Sequence, residues 1–182
     1  MILQRLLPAF LWVMAILPFE ARALDMTADQ SKKLEVLIKQ VNDWAKNPEL
    51  VAAVRDYNSK GRASTQDMDQ DKWATLTIMD PIVKDLRSNA TAKFLQNKKS
   101  EVMSEGFVSG ADGTKVGFLS KTSNWSHKGK PKHDEPMAGK TWIGQPEKDA
   151  STGLSQVQFA LPILDAGQPI GSLVIGVAVN KL

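Results

Sequence analysis

Near residue 100 the hydrophobic period of this chain changes, and no other feature constrains its fold as strongly. Before that point Leu34, Leu37, Ile38, Val41 and Trp44 recur at the three- and four-residue spacing of one helical stripe. Thr27 with Gln30 reads as a capping box opening that helix. Asn47 and Pro48 restart the chain as cap and first helical residue, and Leu50, Val51, Val54 and Tyr57 carry a second helix that stops at Gly61. A third helical pattern holds Trp73, Leu76, Met79, Val83 and Leu86, within which Pro81 either kinks the helix or restarts it with Asp80 as cap. A short helix over 91–95 closes this half. Beyond residue 100, segments 101–109 and 114–120 read as strands around a Gly110–Gly113 turn. Residues 121–140 form a polar loop of unusual length, and such loops are functional or disordered. A short strand is expected over 141–145. Two longer strands, 153–164 and 170–179, are joined by a hairpin turn at Asp165–Gly167. Helices followed by an antiparallel sheet make an α+β fold, and 182 residues suit one domain.

The first 23 residues stand apart from this pattern. Arg5 precedes an apolar run from Leu6 to Leu17, then come Pro18 and Ala21-Arg22-Ala23. That is the layout of a signal peptide with an A-x-A cleavage site. The run is shorter than the roughly 20 apolar residues of a membrane-spanning helix. The reading is therefore residues 1–23 as signal peptide and 24–182 as one exported, periplasmic domain, with a retained anchor as the alternative. The chain ends at Leu182 with no membrane helix or output domain after the last strand, so signalling is expected to pass through a separate partner.

The side-chain inventory excludes several chemistries. With no cysteine, disulfide frameworks, Cys-ligated zinc, iron–sulfur clusters and thiol catalysis are ruled out. Asp67, Asp69 and Asp71 alternate like the opening of a calcium loop, but Lys72 stands where that loop needs glycine and Ile78 where it needs a bidentate Glu. Acidic residues at a helix start explain them better. His127 and His133, beside Asp134 and Glu135, are interleaved with Lys128, Lys130 and Lys132. Those ammonium groups repel a metal ion, so the histidines are read as loop or anion-contacting groups. No H-E-x-x-H, G-x-S-x-G or Walker pattern occurs, so no enzyme and no cofactor are indicated. Sequons at Asn89 and Asn124 carry meaning only in a eukaryotic secretory pathway.

The formal charge is +3, from 23 Lys+Arg against 20 Asp+Glu. Lys121, Lys128, Lys130, Lys132 and Lys140 concentrate positive charge in the 121–140 loop, flanked by Trp125 and Trp142. Basic residues with aromatics suit nucleic acid, but export argues against that partner.

From residue 70 onward the order of motifs is informative as a whole. It runs Ala111-Asp112-Gly113, Val116-Gly117-Phe118, Lys121-Thr122-Ser123-Asn124-Trp125, Asp134-Glu135 and Trp142-Ile143-Gly144. It continues Asp149-Ala150-Ser151-Thr152-Gly153, Gln156-Val157-Gln158, Leu161 to Asp165 and Gly167 to Gly171. The series resembles the single Cache domains, the extracytoplasmic PAS-like sensors of bacteria also called PDC domains, over roughly residues 30–182. The resemblance implies long N-terminal helices on a five-stranded antiparallel sheet, with a pocket over one sheet face for a small organic ligand such as an amino acid, amine or carboxylate. It implies a non-enzymatic sensor acting with a membrane kinase, chemoreceptor or transporter. The family's ligand contacts fall on Trp125 and Asp149, with Ser151 beside it; a core role for Trp125 and Trp142 and a backbone-bonded turn at Asp149–Ser151 remain open. Lys148 stands where many members have an aromatic, which favours an anionic ligand group that His127, Lys132 and His133 would meet, with Trp142 bounding the pocket. Two rivals are an interaction module using the 27–44 helix as contact surface and a hydrolase with His127 or His133 as base.

Overall fold

The computed structural model describes residues 26–60, 65–148 and 155–182, so the expected signal peptide lies outside the described residues. Helix α1 (Ala28–Ala45) begins at the expected capping box: the Thr27 hydroxyl accepts from the Gln30 amide at 3.2 Å, and the Thr27 amide donates to Gln30 Oε1 at 2.9 Å. Helix α2 (Pro48–Lys60) follows with Asn47 Oδ1 accepting from the amides of Glu49 and Leu50. The third helical pattern divides into α3 (Gln70–Thr75) and α4 (Pro81–Ser88). Pro81 restarts the helix because its ring and missing N–H stop an α-turn from running through. Asp80 spends its carboxylate on the Thr77 amide and hydroxyl, at 2.6 and 2.9 Å. Helix α5 (Ala90–Lys98) is capped by Asn89, whose side chain also donates to the Val116 carbonyl at 2.9 Å and so ties the helix to the sheet.

The sheet contains β1 (Met103–Gly110), β2 (Lys115–Phe118), β3 (Trp142–Ile143), β4 (Glu147–Lys148), β5 (Ser155–Asp165) and β6 (Gln168–Ala178). All pairings are antiparallel, in the order β2-β1-β6-β5-β3, with β4 also on β5. The expected five strands thus become six among the described residues. The fifth position is split: Trp142 and Ile143 pair with Ala160 and Phe159, and Glu147 and Lys148 pair with Gln156 and Ser155. Pro146, which has no N–H to donate, lies in the break. The β5–β6 hairpin closes through Ala166 and Gly167, both at positive φ (47° and 81°). This left-handed pair matches the right-handed strand twist, as two-residue hairpin turns require. In the β1–β2 turn Gly113 has φ 80°, and a Cβ there would lie 2.4 Å from the Lys128 amide nitrogen.

The long loop is only partly a loop. Helix α6 (Pro131–Met137) stands within 121–140, started by Pro131 in its first turn. Its seven residues, with a second proline inside, give no apolar stripe long enough to read.

The two sheet faces are covered differently. Helices α1 and α2 pack Leu34, Leu37, Val41, Trp44, Leu50 and Val54 against the face bearing Val157, Phe159, Leu161, Leu173 and Ile175. The α1 stripe is thereby consumed inside the domain. On the opposite face Phe107, Phe118, Ala160 and Val174 meet Trp73, Val83, Leu86 and Trp125. Among the described residues, no helix is long and apolar enough to cross a membrane.

Leu161 is 1% exposed in the main core, whereas Val36 on the outer side of α1 is 62% exposed. Urea unfolding is expected to show a loss of about 2–5 kcal/mol for Leu161→Ala and less than about 0.5 kcal/mol for Val36→Ala. Equal effects would contradict this placement of the core.

Candidate functional site

The second sheet face carries a row of polar groups that the strand register sets side by side. Glu105 on β1 pairs with Gly176 on β6, and Gly176 pairs with Gln158 on β5. Because the middle residue has no side chain, Gln158 Nε2 reaches over β6 and donates to Glu105 Oε2 at 2.5 Å. A Cβ on Gly176 would stand 2.9 Å from that of Glu105. The other end of the Gln158 amide, Oε1, accepts from Lys132 Nζ on α6. Lys132 also lies 5.9 Å from the centre of the half-buried Trp142 ring, a cation–π distance. Burial pushes its ammonium below the ordinary lysine range, opposed by the charges of Glu105 and Glu147.

Lys115 is a second lysine near this row, joined to the cavity-lining His127. It sits on β2 opposite Ser109 and is fully buried. Its Nζ donates to the Trp125 carbonyl at 3.1 Å, lies 2.6 Å from His127 Nδ1, and stands 4.8 Å from the Phe107 ring centre. Burial first, then the neighbouring Lys132, lowers its pKa from 10.5 to about 7, with Glu105 pulling the other way. The His127 ring is stacked on Phe107, centroids 4.8 Å apart and planes 17° from parallel. Burial and then Lys115 push its proton affinity far below the ordinary histidine range. A neutral imidazole that accepts from lysine at Nδ1 carries its hydrogen on Nε2. With Lys115 as the ammonium, His127 thus presents Nε2–H as a hydrogen-bond donor.

Between these groups lies a cavity of about 350 Å³, with Glu105, Lys121, His127, Lys132, Glu147 and Gln158 in its walls. Its floor is strand and its cover is the 121–130 segment and α6. Such a cavity offers ammonium, imidazole and amide donors beside two carboxylates, which suits a small polar molecule better than an apolar one.

The expected site residues separate when placed in the fold. His127 and Lys132 line this cavity, and Trp142 adjoins it through Lys132. His133 is buried behind it, Nδ1 3.0 Å from Ser172 Oγ and Nε2 3.4 Å from the Ala111 carbonyl, so both ring nitrogens are occupied. This corrects its reading as a loop-surface anion contact: it fastens α6 to β6. Trp125 is 5% exposed and packs 5.0 Å from Trp73, with its amide donating to Gln70 Oε1 at 2.9 Å. It borders a different cavity, of about 590 Å³, with Tyr57, Asn58, Met68, Asp112 and Thr114. Asp149 and Ser151 lie outside the described residues. Among the described residues no cluster of three or more His, Asp or Glu gathers as a metal site.

Four lining or supporting groups escaped the sequence reading: Glu105, Lys115, Glu147 and Gln158. A signal existed for two of them. Lys115 opens the apolar strand Val116-Gly117-Phe118, and Gln156 and Gln158 alternate with buried Val157 and Phe159.

No family model matches the chain, and no curated protein matches it. Comparison with solved structures finds similar sensory domains. The sensor domain of the V. cholerae histidine kinase DctB is 13% identical with a TM-score of 0.48, covering 83% of this chain and 52% of its own. The ligand-binding domain of the Pseudomonas aeruginosa amino-acid chemoreceptor PctC, in complex with GABA, is 16% identical with a TM-score of 0.37, over 81% and 62% of the two chains. That of the Campylobacter jejuni chemoreceptor Tlp3, in complex with L-valine, is 12% identical with a TM-score of 0.40, over 84% and 64%. The chain thus spans between about half and just under two-thirds of these domains. All three are sensor or ligand-binding domains.

Lys115 makes stability pH-dependent in a defined direction. The unfolded chain keeps this proton up to the ordinary lysine range near 10.5, and the fold releases it near 7. Between those values the unfolded state binds more protons, so stability rises with pH. Urea unfolding of the unmodified protein is expected to strengthen by up to about 1.4 kcal/mol per pH unit between about pH 7 and pH 10. Lys115→Met should flatten most of that rise. An identical rise in both proteins would show that the lysine is not buried as described.

Proposed function

We propose that residues 24–182 form a single-Cache-type sensory domain that binds a small organic molecule, of the amino acid, amine or carboxylate class, in the cavity between Glu105, Gln158, His127 and Lys132. The observation that carries this reading is the polar row on the sheet, which presents convergent donors and acceptors to a half-open cavity of about 350 Å³. Strand-borne groups hold their geometry better than loop-borne ones, as recognition of a small polar solute demands. The chemistry is that of binding: His127 is pinned and neutral, and His133 is committed at both nitrogens. The site acts outside the cytoplasm, after export directed by residues 1–23, and passes its occupancy to a separate membrane kinase, chemoreceptor or transporter.

Thermal-shift screening of the purified protein against amino acids, amines and organic acids tests the reading. A true ligand at about 100 times its dissociation constant adds about 2.7 kcal/mol of stability. Gln158→Leu, which unties Lys132 from Glu105, should abolish that shift. A broad library with no stabilising compound would overturn the proposal. Export is tested separately: mass spectrometry of the protein recovered from the periplasm of an expressing bacterium should show a chain beginning at Leu24. A product retaining Met1 would refute cleavage there.

A further inference from the structure

The Lys115 ammonium lacks a counter-charge in direct contact. Its three neighbours are a backbone carbonyl, an imidazole nitrogen and an aromatic face, all neutral. Among the described residues no carboxylate oxygen comes within ion-pair distance of it. His127 itself also lines the cavity. Resting on the cavity reading above, we infer that the ligand is a carboxylate, held by His127 Nε2–H and Lys132 Nζ, and that its capture draws one proton from solvent onto Lys115.

The charges around the pair support this. Lys132 and His133 face it from α6 and Lys130 from the turn before that helix; Glu105 faces it from β1 and Asp112 from the β1–β2 turn. Lys121 and Glu147 stand at the cavity wall. Glu105 already accepts from Gln158, which in turn accepts from Lys132. This internal set is therefore tied together before any ligand arrives. A carboxylate entering the cavity adds one negative charge, which Lys132, already bonded to Gln158 and facing Glu105 and Glu147, answers only in part. Lys115, poised to hold its proton about half the time near neutral pH, supplies the answer: a neutral amine takes up a solvent proton and becomes the ammonium. Its N–H then polarises His127 through Nδ1 and strengthens the Nε2–H donor on the ligand side. Lys115 is thus a positioning residue that never touches the ligand. A neutral amide of the same shape adds no charge and draws no proton.

The test titrates purified protein with butyrate, its neutral counterpart butyramide, and butylamine, following the Lys115 side-chain carbon and the His127 ring by nuclear magnetic resonance. Butyrate is expected to perturb His127, to raise the titration midpoint of Lys115, and to bind up to about tenfold more weakly per pH unit above about pH 7. Lys115→Met should bind butyrate weakly and without that pH dependence. The midpoint shift is read in the unmodified protein, so it stands even if the variant folds poorly. A Lys115 midpoint unmoved by butyrate, or an unchanged pH dependence in Lys115→Met, would overturn the inference. Perturbation of His127 by butyramide or butylamine, with none by butyrate, would also overturn it while leaving the small-molecule reading intact. Failure of every compound in the wider library would remove both.

Discussion

Adjacent residues of an extended strand must point to opposite sides of the sheet, and the function of this domain depends on how β5 obeys that constraint. Val157, Phe159, Leu161 and Ile163 turn one way into the helix-covered core. Gln156 and Gln158 turn the other way, before the strand reverts to Ala160 on that face. A slip of one residue in the pairing with β6 would put two amides into the main core and four large apolar groups over the cavity. Burial of the apolar row therefore fixes the register of the polar one. The apolar core and the polar cavity wall are written on alternate residues of the same strand.

The polar row also needs a gap. Glu105 and Gln158 belong to strands that are not neighbours, since β6 runs between them. A side chain at position 176 would separate the two groups, whereas glycine lets the amide lie across the strand. Two residues further along β1, Phe107 supplies a flat surface on which His127 stacks and which also faces the Lys115 ammonium. The aromatic ring is thus a shared support: it orients the imidazole and solvates, through its π face, a charge that water cannot reach.

Much of this architecture was legible in the sequence. The α1 stripe, its capping box, the change of period near residue 100 and the β5–β6 turn all rest on local patterns, and the structure places them close to where those patterns point. What escaped notice depended on partners distant in sequence. The pairing of Lys115 with His127 requires β2 and the following segment to fold back on each other, and the Glu105–Gln158 contact spans 53 positions. Helix α6 was hidden because its stability comes from His133 on Ser172 and Pro136 in the interior, not from a repeating stripe. For Trp125 the sequence leaves a ligand wall and a core role open; the ring packs on Trp73 in the smaller core and also borders the second cavity. An isolated aromatic in a polar segment does not reveal which of these roles it has, because both require burial.

Lys115 is the hardest residue to explain by stability alone. A wholly buried ammonium without a contacting carboxylate costs folding energy, and an apolar side chain of similar length would fill the same space without that cost. The proposed carboxylate site supplies a reason of another kind. Positive charge kept out of water, one imidazole away from an open cavity, acts on an incoming anion with little solvent screening, whereas Lys121 or Lys130 nearer the surface acts through water. The same burial that weakens the fold thus concentrates the field where a ligand carboxylate would stand, the trade between stability and site chemistry that functional residues commonly make.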